Sequence, residues 1–287
     1  MTAALRAASS PCRNSEKAQE FAPVRESSGE SLLKTPLPRE LPADLDSRTL
    51  PAHVAVIMDG NGRWAERRGQ TRLAGHGRGA EKLVDLLHCC RDWGIRTLTA
   101  HAFSTENWAR PEVEVERLMR LIEQTIRLRL NELSAIGMRF DCIGDLTVLP
   151  HSLRREIQRA IAQTADNTNV EFVMAINYGG QQDILQACQG IAADIASGTI
   201  NASQVDRALF ERHLYTGRKQ NPDLLIRTSG EQRLSNFLLW QLAYTELYFT
   251  DTFWPDFDAV EFHRALLAYQ SRNRRFGRVD PILQNRI

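Results

Sequence analysis

Apolar residues in this chain fall into short blocks separated by small and polar punctuation. His53-Val-Ala-Val-Ile-Met58 is an unbroken apolar run stopped by Asp59-Gly60, which predicts a strand buried on both faces. A helical stretch follows from about Gly75 to Trp93, with Leu83, Leu86 and Leu87 on one face and Gly94 at its end. Further strands are predicted over 96–103, 138–143, 170–176, 223–227 and 246–249. Between them the spacing predicts a long helix opened by Pro111 and closed by Gly137, a helix opened by Pro150, and helices over 181–197, 203–214 and 259–275. Strand alternating with helix calls for right-handed crossovers. The predicted fold is therefore α/β, a central, mostly parallel six-stranded sheet flanked by helices. In such sheets ligands bind beyond the carboxyl ends of the strands.

Residues 1–50 break the pattern. They are rich in Ser, Pro, Glu and Ala and poor in large apolar side chains, so burial cannot offset chain entropy. A disordered tail over 1–50 and one folded domain over 51–287 are expected.

Composition narrows the function. With 287 residues the chain can bury a sizeable core, and a net charge of +1 gives no whole-chain attraction to nucleic acid. Any anion site must come from local clusters of Arg. The five Cys are odd in number and lack C-x-x-C spacing, which argues against a disulfide framework and a zinc site and favours a reducing, cytoplasmic setting. No apolar run reaches the roughly 18 residues that span a bilayer. The N-terminus has no continuous apolar core for a secretory signal, and Glu16, Glu20, Glu26 and Glu30 count against a transit peptide.

The strand ends carry the chemistry. The first ends in Asp59-Gly60-Asn61-Gly62-Arg63-Trp64, with Arg72 and His76 shortly after. Glycine-flanked backbone N–H groups, guanidinium forks and a helix start suit a diphosphate, and a carboxylate among them suits Mg²⁺ shared with phosphate oxygens. Gly60-Asn-Gly62-Arg-Trp-Ala65 also satisfies the dinucleotide fingerprint G-x-G-x-x-A, but a bulky Arg-Trp pair sits where pyrophosphate and helix must pack closely. The second end reads Phe103-Ser-Thr-Glu-Asn-Trp108, the fourth Asn177-Tyr-Gly-Gly180, and the fifth Arg227-Thr-Ser-Gly-Glu231, with Arg233 and Ser235 behind. Two separated Arg-rich ends suggest two anionic ligands. Glu246, between Tyr244 and Tyr248 in an apolar run, needs either an Arg partner or a metal. The helix after Pro111 is apolar over more than one stripe, so it either packs on two sides or walls an apolar cavity.

Taken in order, HVAVIMDGNGRWA at 53–65, GH at 75–76, AFSTENWARP at 102–111, NYGG at 177–180 and IRTSGEQRLSNFLLWQLAYTELYFTDTFWPDF at 226–257 resemble the cis-prenyltransferase family over roughly residues 51–277. The resemblance implies a homodimer that condenses isopentenyl diphosphate onto an allylic prenyl diphosphate, farnesyl diphosphate being the expected primer. New double bonds would be cis, and the chain would grow in an apolar product tunnel. It implies Mg²⁺ on Asp59 and Glu246, with Asp59 and Asn107 catalytic. Gly60, Asn61, Gly62, Arg63, Trp64, Arg72, His76, Ser104, Trp108 and Arg110 would hold the allylic diphosphate. Arg227, Arg233 and Ser235 would hold isopentenyl diphosphate. Asn61 and Phe103 would line the centre of the site, and residues 104–110 would close over it. Arg275-Phe276-Gly277 would reach a partner's site. Ala102 and Val170 are expected to set product length, and a membrane is expected to speed product release. His101 departs from the aromatic residue expected there. A trans-prenyltransferase would need Asp-rich D-D-x-x-D helices, which the sequence lacks. A non-catalytic partner subunit would be expected to lose motif residues that are present here.

Overall fold

Six strands pair edge to edge in a computed structural model that describes residues 39–272. They are β1 (His53–Ile57), β2 (Thr97–Ser104), β3 (Met138–Ile143), β4 (Val170–Tyr178), β5 (Leu224–Arg227) and β6 (Glu246–Phe249). Their order is β3-β4-β2-β1-β5-β6, and every pairing is parallel. The helices are α1 (Asn61–Glu66), α2 (Arg72–Trp93), α3 (Glu112–Ala135), α4 (His151–Gln163), α5 (Gly180–Ala196), α6 (Arg207–His213) and α7 (Ala259–Gln270). Strands buried on both faces explain the unalternating apolar runs: every residue of β1 and β5 is buried. Alternate residues feed two cores. Val54, Val56, Leu98, Ala100, Leu224 and Ile226 face one; Ala55, Ile57, Val173, Ala175 and Leu225 face the other.

The sheet is wholly parallel, where a mostly parallel one was expected. The second helix begins at Arg72, because the Thr71 hydroxyl accepts from the Ala74 N–H and starts it three residues early. The turn after β1 is itself a short helix, α1.

The expected tail over 1–50 is corrected from residue 39 onward. Leu45 is buried and Leu41 and Leu50 pack against the core. The Trp93 indole donates to the Glu40 carbonyl at 3.1 Å, the Arg39 N–H donates to Asp92 at 2.8 Å, and the Gln270 amide donates to the Asp46 carbonyl at 2.7 Å. Three Leu scattered among Pro and Asp show no period. They are ordered by docking on α2 and α7, which composition does not reveal.

Two glycines set the position of α1. A Cβ on Gly75 would lie 2.0 Å from the Asn61 carbonyl oxygen, and one on Gly79 would lie 2.2 Å from Asn61 Oδ1. Helix α2 thus approaches α1 more closely than any other residue permits. Gly75→Ala should force the helices apart and cost about 1–3 kcal/mol in urea unfolding, as overpacking does. Gly77→Ala meets nothing within 4 Å and serves as the comparison.

Candidate active site

Strands β1 and β5 lie side by side, with Ile57 opposite Arg227, so their carboxyl ends deliver Asp59 and Arg227 to one point. Arg227 is 3% exposed. Its Nη2 donates to Asp59 Oδ2 at 2.9 Å, and its Nη1 donates to Ser235 Oγ at 2.7 Å and to the Arg233 carbonyl. Arg63, one turn along α1, reaches back to Asp59 at 3.2 Å. The Gly60 N–H donates to the same carboxylate at 2.7 Å, and Gly60 has φ +95, the left-handed region that favours glycine. Thr228 Oγ1 pins the backbone here, accepting from the Asp59 N–H at 3.0 Å and donating to its carbonyl at 2.8 Å. Burial alone would raise the Asp59 carboxyl. The hydrogen bonds from Arg227 and Gly60, with the charges of Arg227 and Arg63, hold it below the usual range.

Behind this polar mouth lies a cavity of about 680 Å³. It runs between the sheet and helices α2 and α3, from Asp59, Asn61, His76, Arg110 and Arg227 to Met138, Phe140 and Phe172 near the amino ends of β3 and β4. Leu83 and Leu87 of α2 and Ile122, Ile126 and Leu130 of α3 wall it. The buried stripe of α3 therefore faces a cavity, while Val113 and Leu128, off that stripe, are exposed. Polar groups at the mouth and a mainly hydrocarbon wall beyond, broken by Thr125 and Arg129 of α3, match a ligand with a charged head and a long apolar tail.

Residues 57–277 match the family described as "Putative undecaprenyl diphosphate synthase". The chain belongs to that family of cis-prenyltransferases. It is 49% identical over 239 residues to an isoprenyl transferase of Heliobacterium mobile, covering 83% of this chain and 92% of that one. It is 44% identical over 234 residues to a farnesyl-diphosphate-specific ditrans,polycis-undecaprenyl-diphosphate synthase of Pasteurella multocida, covering 82% and 98%. Among solved structures, lavandulyl diphosphate synthase from Lavandula x intermedia, in complex with dimethylallyl diphosphate, superposes with a TM-score of 0.78. That protein is 40% identical, and the match covers 80% of this chain and 99% of that one. The protein is thus a prenyltransferase of the cis-polyprenyl diphosphate synthase type.

Most of the expected prenyltransferase residues meet at the mouth. Asn61, His76, Ser104, Asn107, Arg110, Arg233 and Ser235 line the cavity with Asp59 and Arg227, as do Ala102 and Phe103. Asn107 and Ser104 cap the 3₁₀ turn Thr105–Ala109 that edges the mouth. Trp108 donates to Asn177 at 2.7 Å and sets its ring against Phe103. Arg72 lies over Gly62, where a Cβ would come 2.6 Å from its guanidinium carbon, and pairs with Glu66 at 2.8 Å. Trp64 turns outward to Asp256 at 2.7 Å and does not line the cavity.

Two of the expected residues stand away from the mouth within the chain. Glu246 opens β6 opposite Leu224, at the amino end of the sheet, and pairs with Arg272 at 2.9 Å. Within the chain it stands a strand length away from Asp59 and takes the arginine partner. Val170 opens β4 at that same end and is absent from the cavity wall, whereas Phe172 and Met174 of that strand line it. Arg275-Phe276-Gly277 lies outside the described residues. Sequence reading gave no role to Glu231, although it stands in the same strand-end string. It accepts from Arg63 at 2.9 Å and from Arg233.

Burial, aided at His76 by the charges of Arg110 and Arg72, depresses His76 and His101 to about 4, and burial also lowers His53. These imidazoles are neutral in the folded chain but protonate once unfolded, near pH 6.5. Their contribution is complete above pH 6.5 and is lost as pH falls towards 4. Urea midpoints should hold steady above about pH 6.5 and decline between about pH 6.5 and 4.5. His76→Gln should flatten part of the decline.

Proposed function

We propose that the chain elongates an allylic diphosphate, farnesyl diphosphate being the expected primer, by repeated addition of isopentenyl diphosphate in the cis geometry. The observation that carries this reading is one ionised carboxylate flanked by two arginine groups at the head of an apolar cavity. Arg63, Arg72, His76 and Arg110, with the backbone at Gly60–Gly62, would hold the allylic diphosphate. Arg227, Arg233 and Ser235 would hold isopentenyl diphosphate.

Among the described residues no group of three or more His, Cys, Asp or Glu gathers to cage a metal. Mg²⁺ fits that setting, since it is bound by one or two carboxylates plus substrate phosphates and keeps its waters. Asp59 would supply the carboxylate. When bound, the ion would neutralise charge developing on the departing diphosphate. Arg227, buried and held by Asp59, Ser235 and the Arg233 carbonyl, would act on that charge from a fixed position, so little reorganisation is needed as the allylic C–O bond breaks. The isopentenyl double bond then attacks the allylic carbon and a proton is lost. Each added unit moves deeper between α2, α3 and the sheet, and every buried CH₂-sized group contributes about 0.8 kcal/mol.

A homodimer accords with the resemblance. No described helix is long and apolar enough to cross a membrane, and transient contact with a bilayer would serve release of the apolar product.

Radiolabelled isopentenyl diphosphate with farnesyl diphosphate and Mg²⁺ should give a ladder ending in one long product. Asp59→Ala should lower incorporation by about 10²–10³-fold, the loss typical of removing a preorganised charge-stabilising group. No incorporation by the unaltered chain with any short allylic primer would reject the reading. Ala102→Leu narrows the cavity near its mouth and should shorten the final product without lowering the rate of the first addition. Product sizing by chromatography reads this out, and an unchanged length would remove Ala102 from length control.

A further inference from the structure

The charges at the mouth form one alternating series: Arg227, Asp59, Arg63, Glu231, Arg233. Glu231 gives one oxygen to Arg63 at 2.9 Å and the other to Arg233. Arg63 belongs to the group that holds the allylic diphosphate and Arg233 to the group that holds isopentenyl diphosphate. A single carboxylate therefore spans both sites.

The two carboxylates of the series differ in how firmly they are held. Asp59 is locked by the buried Arg227, by the Gly60 N–H and by Thr228 on its backbone. Glu231 follows Ser229 and Gly230, both at positive φ; its side chain is 25% exposed, and its carboxylate is held by two arginine side chains that are themselves open to water, Arg63 at 42% and Arg233 at 60% exposed. It can swing into water without opening the core. A diphosphate carries more charge than a carboxylate and offers more acceptor oxygens, so it competes for the same guanidinium edges and repels Glu231 from them.

We propose that Glu231 is a displaceable counter-ion that couples the two diphosphate sites. This rests on the assignment of Arg63 and Arg233 given above. The first diphosphate to bind must break the bridge and bears its whole cost. The second finds its arginine already released. Each ligand then raises the affinity of the other, and by linkage the effect is reciprocal. Glu231 is a positioning residue here, acting on substrate through the two arginines.

The test is calorimetric titration of isopentenyl diphosphate in Mg²⁺, with and without a saturating non-reactive allylic thiolodiphosphate. In the unaltered chain the analogue should tighten isopentenyl diphosphate binding on the order of tenfold, within the usual range of coupled sites. In Glu231→Gln, isopentenyl diphosphate alone should bind more tightly than to the unaltered chain, and the analogue should add little. Glu231→Asp keeps the charge but is too short to span both arginines, so it should lose coupling as well. Circular dichroism checks that both variants fold. Coupling that persists in Glu231→Gln, or weaker isopentenyl diphosphate binding there, overturns the proposal and leaves the site assignment standing. If neither ligand binds the unaltered chain, both fall.

Discussion

The ion pair between Arg227 and Asp59 is the constraint on which the site depends. An arginine 3% exposed is costly unless paired and hydrogen-bonded. Here two adjacent parallel strands end level with each other, so the partner arrives by sheet register and no loop has to be ordered for it. Thr228 and Gly60 then fix the backbone on either side of the carboxylate. The result is an ionised acid held rigidly at the carboxyl edge of the sheet, where helix α1 begins and its backbone N–H groups are open.

From that point two environments diverge. Towards solvent, the strand ends supply guanidiniums, hydroxyls and glycine turns. Towards the interior, the same strands and helices α2 and α3 supply only hydrocarbon until Thr125 and Arg129. A site that must grip highly charged heads and accept a lengthening tail needs this division. Parallel topology supplies it, since every strand ends at the polar edge and every crossover helix lays an apolar face on the sheet. The same topology explains Glu246. In a parallel sheet its place at the start of β6 puts it at the edge opposite the chemistry, and it pairs with Arg272.

The alternating charge series at the mouth places a carboxylate between each pair of neighbouring arginines and so offsets their mutual repulsion. Two carboxylates among three guanidiniums leave the series with one positive charge in excess, open to an anionic ligand. The guanidiniums are preorganised, and their anions are of two kinds, one fixed and one on a turn.

The sequence by itself determined the order of strands and helices, the strand ends that carry Asp59, Arg63, Arg227 and Arg233, and the family. These follow from local signals: unalternating apolar runs mark buried strands, and Gly, Asp and Arg directly after them mark the loops that a parallel sheet turns into a site. Only the tertiary structure decided what depends on register and on which face meets which. It placed Glu246 and Val170 at the far edge, showed the buried stripe of α3 lining a cavity, docked residues 39–50 through isolated leucines, and closed Glu231 between two arginines. Each of these is a relation between segments distant in the chain, and no periodicity within one segment encodes it.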